Sequence, residues 1–203
     1  MSLRDATHLV MRPMSLDDID TVSAWLQDVD DLSLFDRTLT LPPGKDAVRD
    51  SWKGDLVGGK FPTAYWFVLE AGDRTAVAVG GLQAVNYIHG DAVLPLLIAR
   101  SARGKGFGLG IAATILDIAF DRLRLRRVTT FFRSDNAITE HLTGRVGFRE
   151  EGRMRQAWFV DGKYLDCVVV GILREEWFST RDSLRVEISN NVVIHLGQKQ
   201  EFE

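Results

Sequence analysis

The spacing of apolar residues changes period several times along the chain, and each change predicts an element. Residues 9–13, Leu-Val-Met-Arg-Pro, read as a short first strand. Ser15 followed by Asp17 and Asp18 has the form of a helix N-cap with acids in the first turn, which predicts a helix to about residue 27. Residues 28–44 show no period, are rich in acids, and end in Pro42, Pro43 and Gly44, a strong breaker. Val48, Trp52 and Leu56, at four-residue spacing, predict a second helix over 46–56. Residues 64–69 and 75–85 predict two strands turned at Ala71, Gly72 and Asp73, and 92–99 predicts a further strand.

In residues 109–123 the polar positions before Arg122 are Thr114, Asp117 and Asp121, spaced by three and four. That predicts a helix buried on all but one narrow face. Residues 127–132 read as a strand, and 136–146 as a helix stopped by Gly147 in the left-handed position that follows a helix end. Residues 148–159 and 163–174 predict two strands joined at Asp161 and Gly162, a hairpin pair of residue types. Past Trp177, residues 184–188 and 192–196 flank Asn190 and Asn191 and predict an extra hairpin, placed to cover a sheet edge or reach a partner subunit. The expected organisation is one domain over 1–177 and an extension over 178–203.

The junction between strand 92–99 and helix 109–123 is Arg103-Gly104-Lys105-Gly106-Phe107-Gly108-Leu109-Gly110. Glycines at alternate positions let backbone N–H groups approach a ligand, and the helix start adds partial positive charge, so the junction suits a pyrophosphate. The dinucleotide-binding pattern fails, because the required third glycine or alanine is replaced by Leu109 in one register and Ile111 in the other. The P-loop pattern fails because Lys105 lies early in the loop, between two glycines. What remains is Arg-x-x-Gly-x-Gly, from Arg103 to Gly108.

That pattern resembles the coenzyme A loop of the GNAT superfamily of acetyl-CoA-dependent N-acetyltransferases. Asn136, with Gly147 and Phe148 eleven and twelve residues later, falls at the superfamily's spacing. Residues 151–155 (Glu-Gly-Arg-Met-Arg), 161–166 (Asp-Gly-Lys-Tyr-Leu-Asp) and 175–177 (Glu-Glu-Trp) look like the branch with ribosomal-protein N-terminal and amino-sugar acetyltransferases. The likeness covers about residues 9–177. It implies an α/β (α+β) fold, a mostly antiparallel sheet of about seven strands flanked by about four helices.

The resemblance also implies site residues. The sheet is expected to splay beside the strand before the glycine loop, so that backbone groups of Leu96, Leu97 and Ile98 hold the pantetheine arm as an added strand would. Pro95 suits a place where regular pairing lapses. Backbone amides of Gly104, Lys105, Gly106, Phe107, Gly108 and Leu109 are expected to grip the pyrophosphate, with Arg103 and Lys105 adding charge. Asn136 suits both a helix N-cap and a contact to CoA.

Proton transfer is less legible. Many relatives carry a tyrosine seven residues after the asparagine as general acid, where this chain has Thr143, and some a glutamate five residues before it, where this chain has Phe131. Asp91, Glu70 and His89 are candidate bases acting through water, and His141 reads as a surface residue. A lysine-like amine of pKa about 10.4 is only about 0.04% neutral at pH 7, a deficit of roughly 4.6 kcal/mol, whereas an α-amino group near 8 is about a tenth neutral. A weak base therefore favours a peptide N-terminus or an amino sugar as acceptor. The alternatives are a polyamine or other small amine, or a CoA-binding regulatory module without turnover. Asp28, Asp30, Asp31 and Asp36 fall in the segment that shapes the acceptor site in relatives.

Composition narrows the rest. At 203 residues and 45% hydrophobic content the chain can bury one sizeable core. A net charge of −3 argues against a general nucleic-acid binder, although Arg122, Arg124, Arg126 and Arg127 cluster, as a solvated helix end or near the adenosine end of CoA. Cys167, the only cysteine, sits in an apolar run and reads as a buried, inert thiol, which excludes a disulfide within the chain and a thiolate metal cluster. No metal is implied. The first residues lack a signal peptide's apolar stretch and no run reaches the length of a membrane span, so a cytoplasmic protein without membrane contact is expected, with a homodimer conceivable.

Overall fold

The computed structural model describes residues 6–39, 41–57, 59 and 61–197. In chain order the strands are β1 (Thr7–Pro13), β2 (Tyr65–Glu70), β3 (Ala76–Asn86), β4 (Asp91–Val93), β5 (Leu96–Ile98), β6 (Arg127–Arg133), β7 (Arg149–Val160), β8 (Lys163–Leu173) and β9 (Val192–Leu196). The helices are α1 (Ile19–Trp25), α2 (Val29–Phe35), α3 (Lys45–Leu56), α4 (Phe107–Asp117), α5 (Ala137–Val146) and α6 (Arg174–Ser189). Strand order is β7-β8-β6-β4-β3-β2-β1-β9, with β5 pairing β3 beside that path. The pairs β4–β6 and β1–β9 are parallel and the rest antiparallel. This is the expected mixed, mostly antiparallel sheet, with more strands and helices among the described residues than the sequence suggested.

Two apolar layers follow from alternation along the strands. One face of the sheet packs with Ile111, Ile115 and Leu116 of α4, Val146 of α5, and Trp177 and Leu184 of α6. The other packs with Ile19 and Val22 of α1, Leu32 of α2 and Val48 of α3. Asp117 fixes α6 to α4, accepting from Trp177 Nε1 at 3.0 Å and Arg185 Nη2 at 2.7 Å.

Three expectations change. Residues 28–44 contain a short helix: Asp28 caps α2 by accepting from the Asp31 N–H at 3.1 Å, and Asp30 and Asp31 occupy its first turn. The predicted strand 92–99 is two strands, because Pro95 lacks an N–H to continue the ladder. The C-terminal hairpin is absent: residues 184–188 belong to α6, and β9 lies parallel to β1, with Val10 opposite His195. The residues after Trp177 thus complete the sheet's far edge instead of projecting from it; residues 198–203 lie outside the described residues.

Candidate active site

The break at Pro95 creates the site. β4 runs beside β6 as far as Val93 opposite Thr129, and Leu94 adds the last bond, its N–H donating to Thr129 O at 2.9 Å. Beyond that point β5 stays with β3 while β6 stays with β8, so the two halves of the sheet part. A cleft of about 380 Å³ opens between them, with Leu96, Leu97, Ile98, Phe131 and Phe132 among its walls.

Alternation decides which backbone groups of β5 face the gap. Pro95 O accepts from Gly81 N at 3.2 Å and Ala99 N donates to Val77 O at 2.9 Å, so residues 95, 97 and 99 point their polar groups at β3. Leu96 and Ile98 therefore turn theirs toward the gap, and the expectation for Leu97 is corrected: it contributes wall rather than hydrogen bonds. The Ile98 carbonyl already accepts from Arg103 Nε at 3.0 Å, which leaves the Ile98 N–H and the two polar groups of Leu96 turned to the gap.

The glycine loop lies at the end of this gap. Gly104 and Gly106 adopt φ of +73° and +78°, a left-handed conformation that an L side chain holds only with strain, and a Cβ at either would meet nothing within 4 Å. Space is thus free for a ligand on their outer side. Gly106 caps α4, and the amides of Phe107, Gly108 and Leu109 form its first turn, where no intrahelical acceptor exists. The Phe107 side chain is buried in the core and anchors the turn. A Cβ on Gly108 would come within 3.3 Å of Ile98 and Leu142, so the helix start packs tightly against the cleft wall.

Arg103 and Lys105 divide the charge. Lys105 is exposed. Arg103 is committed to Asp31, donating from Nη1 at 2.8 Å, and to Ile98 O; it braces the loop more than it faces a phosphate. Burial pushes the Asp31 carboxyl up, but hydrogen bonds from Arg103 and Arg100 outweigh this and hold it below the usual carboxylate range. Asn136 caps α5, its Oδ1 accepting from Thr139 N at 3.1 Å, and the residue also lines the cleft.

The proton-transfer candidates fare differently. Thr143, a candidate catalytic position whose hydroxyl is a poor acid by type, lines the cleft, but that hydroxyl shares its one proton between Thr139 O at 2.9 Å and Glu140 O at 3.1 Å inside α5. Asp91 is not on the cleft wall; it pairs across the sheet with Arg127 and Asn86, below the point where the strands part. Glu70 accepts from Arg12 at 2.7 Å and 2.9 Å, and His89 lines a separate small depression with Arg126 and Arg127. His141 is exposed on α5. The arginine cluster lies past the C-terminal end of α4, roughly 20 Å from the loop at about 1.5 Å per residue, too far to meet the adenosine end of CoA.

The opposite end of the cleft was less legible. Trp52 and Trp66 stand with ring centroids 4.4 Å apart, Trp66 Nε1 donating to Asp55 at 3.0 Å, and both rings line the cleft with Gln83 and Phe131. Asp36, just past α2, also lines it, its carboxylate accepting from Thr38 N at 2.7 Å and Thr38 Oγ1 at 2.6 Å. The Phe131 face already carries a cation, the Arg37 guanidinium 6.0 Å from its centroid, so the Trp52 and Trp66 rings and the Asp36 carboxylate are the lining groups that suit a positively charged guest. Asp36 had the sequence signal of an acidic segment; the tryptophans, from α3 and β2, read only as core.

Comparison with known proteins identifies the family and the fold. Residues 8–149 match the acetyltransferase (GNAT) domain, and the chain belongs to that family. It is 30% identical over 113 residues to a spermidine N(1)-acetyltransferase of Vibrio cholerae, covering 56% of this chain and 65% of the relative. It is 29% identical over 112 residues to a putative ribosomal N-acetyltransferase, YdaF, of Bacillus subtilis, covering 54% and 61%. These matches span under two thirds of either relative's length. A crystal structure of spermidine N-acetyltransferase from Vibrio cholerae in complex with CoA and spermine shares the fold, with a TM-score of 0.76 and 23% identity over 84% of this chain and 98% of that one.

Proposed function

We propose that this protein is an acetyl-CoA-dependent N-acetyltransferase whose acceptor is a small cationic amine of the polyamine class. The observation that carries the transferase reading is the parting of β5 from β6 directly above a glycine loop with outward-facing backbone. The residues present fit CoA: the amides of 104–109 for the pyrophosphate, Leu96 for the pantetheine arm, Asn136 beside it. The thioester supplies an activated acetyl group.

The acceptor class is supported by the paired rings of Trp52 and Trp66 and by the Asp36 carboxylate, which also lines the cleft; together they suit an aliphatic chain bearing ammonium groups, while Phe131 already carries the Arg37 guanidinium. The similarity to spermidine acetyltransferases points the same way, and both favour this class over the peptide N-terminus or amino sugar expected from the missing tyrosine. In the transfer, the neutral nitrogen adds to the acetyl carbon and the carbonyl electrons move onto oxygen; as that oxyanion collapses the carbon–sulfur bond breaks, and the nitrogen's surplus proton leaves to the departing sulfur or to water. The Ile98 N–H stabilises the oxyanion; none of the chain's three tyrosines lines the cleft to act as acid.

A thiol-release assay with spermidine, spermine, N-terminal peptides and amino sugars tests this. Polyamines are expected to give the highest kcat/KM; faster turnover of a peptide or sugar would refute the acceptor class, and no thiol release with any amine would refute the transferase reading.

A further inference from the structure

Asp31 is a buried carboxylate that acetyl transfer does not use. Its side chain is 6% exposed, and Oδ1 receives Arg103 Nη1 at 2.8 Å and Arg100 Nη2 at 3.2 Å. Arg103 joins that contact to the Ile98 carbonyl, so the carboxylate, the first residue of the pyrophosphate loop and the end of β5 form one bracket. Two residues along α2, Ser33 is gripped from the other bank of the cleft: Arg133 Nη1 of β6 donates to its Oγ at 2.9 Å and to its carbonyl at 3.3 Å.

α2 is therefore a strap. Asp31 fastens it to β5 and the loop, Ser33 fastens it to β6, and the residues that follow, from Leu34 to Thr38, line the cleft. Exposed ion pairs contribute little, but a buried carboxylate with charge-assisted partners holds geometry and leaves an uncompensated charge when either side is removed.

We infer that Asp31 is a positioning residue that ties the α2 wall of the acceptor pocket to the pyrophosphate loop, so that filling the loop orders the acceptor side. The inference rests on the CoA-binding reading above. By linkage, an amine in the pocket then tightens CoA to the same degree.

Hydrogen exchange of the α2 amides, measured on the full chain with and without saturating CoA, tests it. In the unmodified protein CoA is expected to slow exchange over α2 by on the order of tenfold, within the range of coupled sites. Asp31→Asn is expected to bind CoA more weakly and, at saturation, to show α2 exchange that no longer responds. Arg103→Met, which keeps the side-chain stem and removes both bonds of the bracket, carries the same expectation should Asp31→Asn fail to fold. CoA binding without an α2 response in the unmodified protein, or a response that persists in either folded variant, overturns the inference. Failure of the unmodified protein to bind CoA would instead sink the cofactor assignment, and the inference with it.

Discussion

The hydroxyl of Thr143 donates within its own helix, so its proton is not available to a leaving group. Thr143→Ala is accordingly expected to change kcat by less than about threefold, where loss of a true general acid costs on the order of a hundredfold or more; steady-state kinetics on spermidine decide between them. Asp18 gives a pH dependence of stability. Burial would raise its carboxyl, but hydrogen bonds from Arg12 and Ser15 reverse this and hold it below its ordinary value. A carboxyl depressed in the folded state contributes stability above its unfolded pKa, and the contribution fades as pH falls through the folded value. The thermal midpoint should therefore hold steady from pH 7 to about 5, fall below about 4, and fall less steeply in Asp18→Asn. At this scale, the loop glycines and Asn136 were legible because their residue types are demanded by backbone conformation and capping. Asp91 misled, because a strand-end carboxylate shows nothing in sequence of which end of a sheet opens.

Among elements, β9 and α4 depend on each other most closely. A Cβ on Gly110 would lie 2.7 Å from Val192 and 3.2 Å from Ile188, so the glycine lets the closing strand and the end of α6 approach α4. Gly110→Val should lower stability by about 1–3 kcal/mol through overpacking, read as a lower thermal midpoint, while the Gly104–Gly106 turn on the other side of the helix start retains its conformation. Residues 184–188 alternate apolar and polar, which suited a strand; only the longer window, with Trp177, Leu184 and Ile188 at helical spacing and Val186 69% exposed, shows the helix. α2 escaped notice because seven residues carry too little periodicity, although Asp28 followed by Asp30 and Asp31 is an N-terminal capping signature.

At the scale of the whole molecule, the cleft offers aromatic walls, the carboxylates of Asp31 and Asp36, the guanidinium groups of Arg37 and Arg103, and backbone donors, with no histidine or tyrosine among its lining residues. A polyamine nitrogen must then lose its proton largely to solvent before attack. kcat/KM for spermidine should rise about tenfold per pH unit between about pH 7 and 9, following the neutral fraction of an amine of pKa about 10.4. A profile that levels off below about pH 8 would reveal a base within the cleft and contradict this.

The sequence by itself determined the family, the alternation that builds a two-faced sheet, and the glycine turn at the start of α4, since each follows from local spacing and local backbone demands. Only the tertiary structure decided that the sheet opens at Pro95, that Leu96 and Ile98 but not Leu97 face the opening, that Trp52, Trp66 and Asp36 all line it, and that Asp31 reaches Arg103. Those facts depend on contacts between residues far apart in the chain, and hydrophobic periodicity says which face of an element is buried without saying against what.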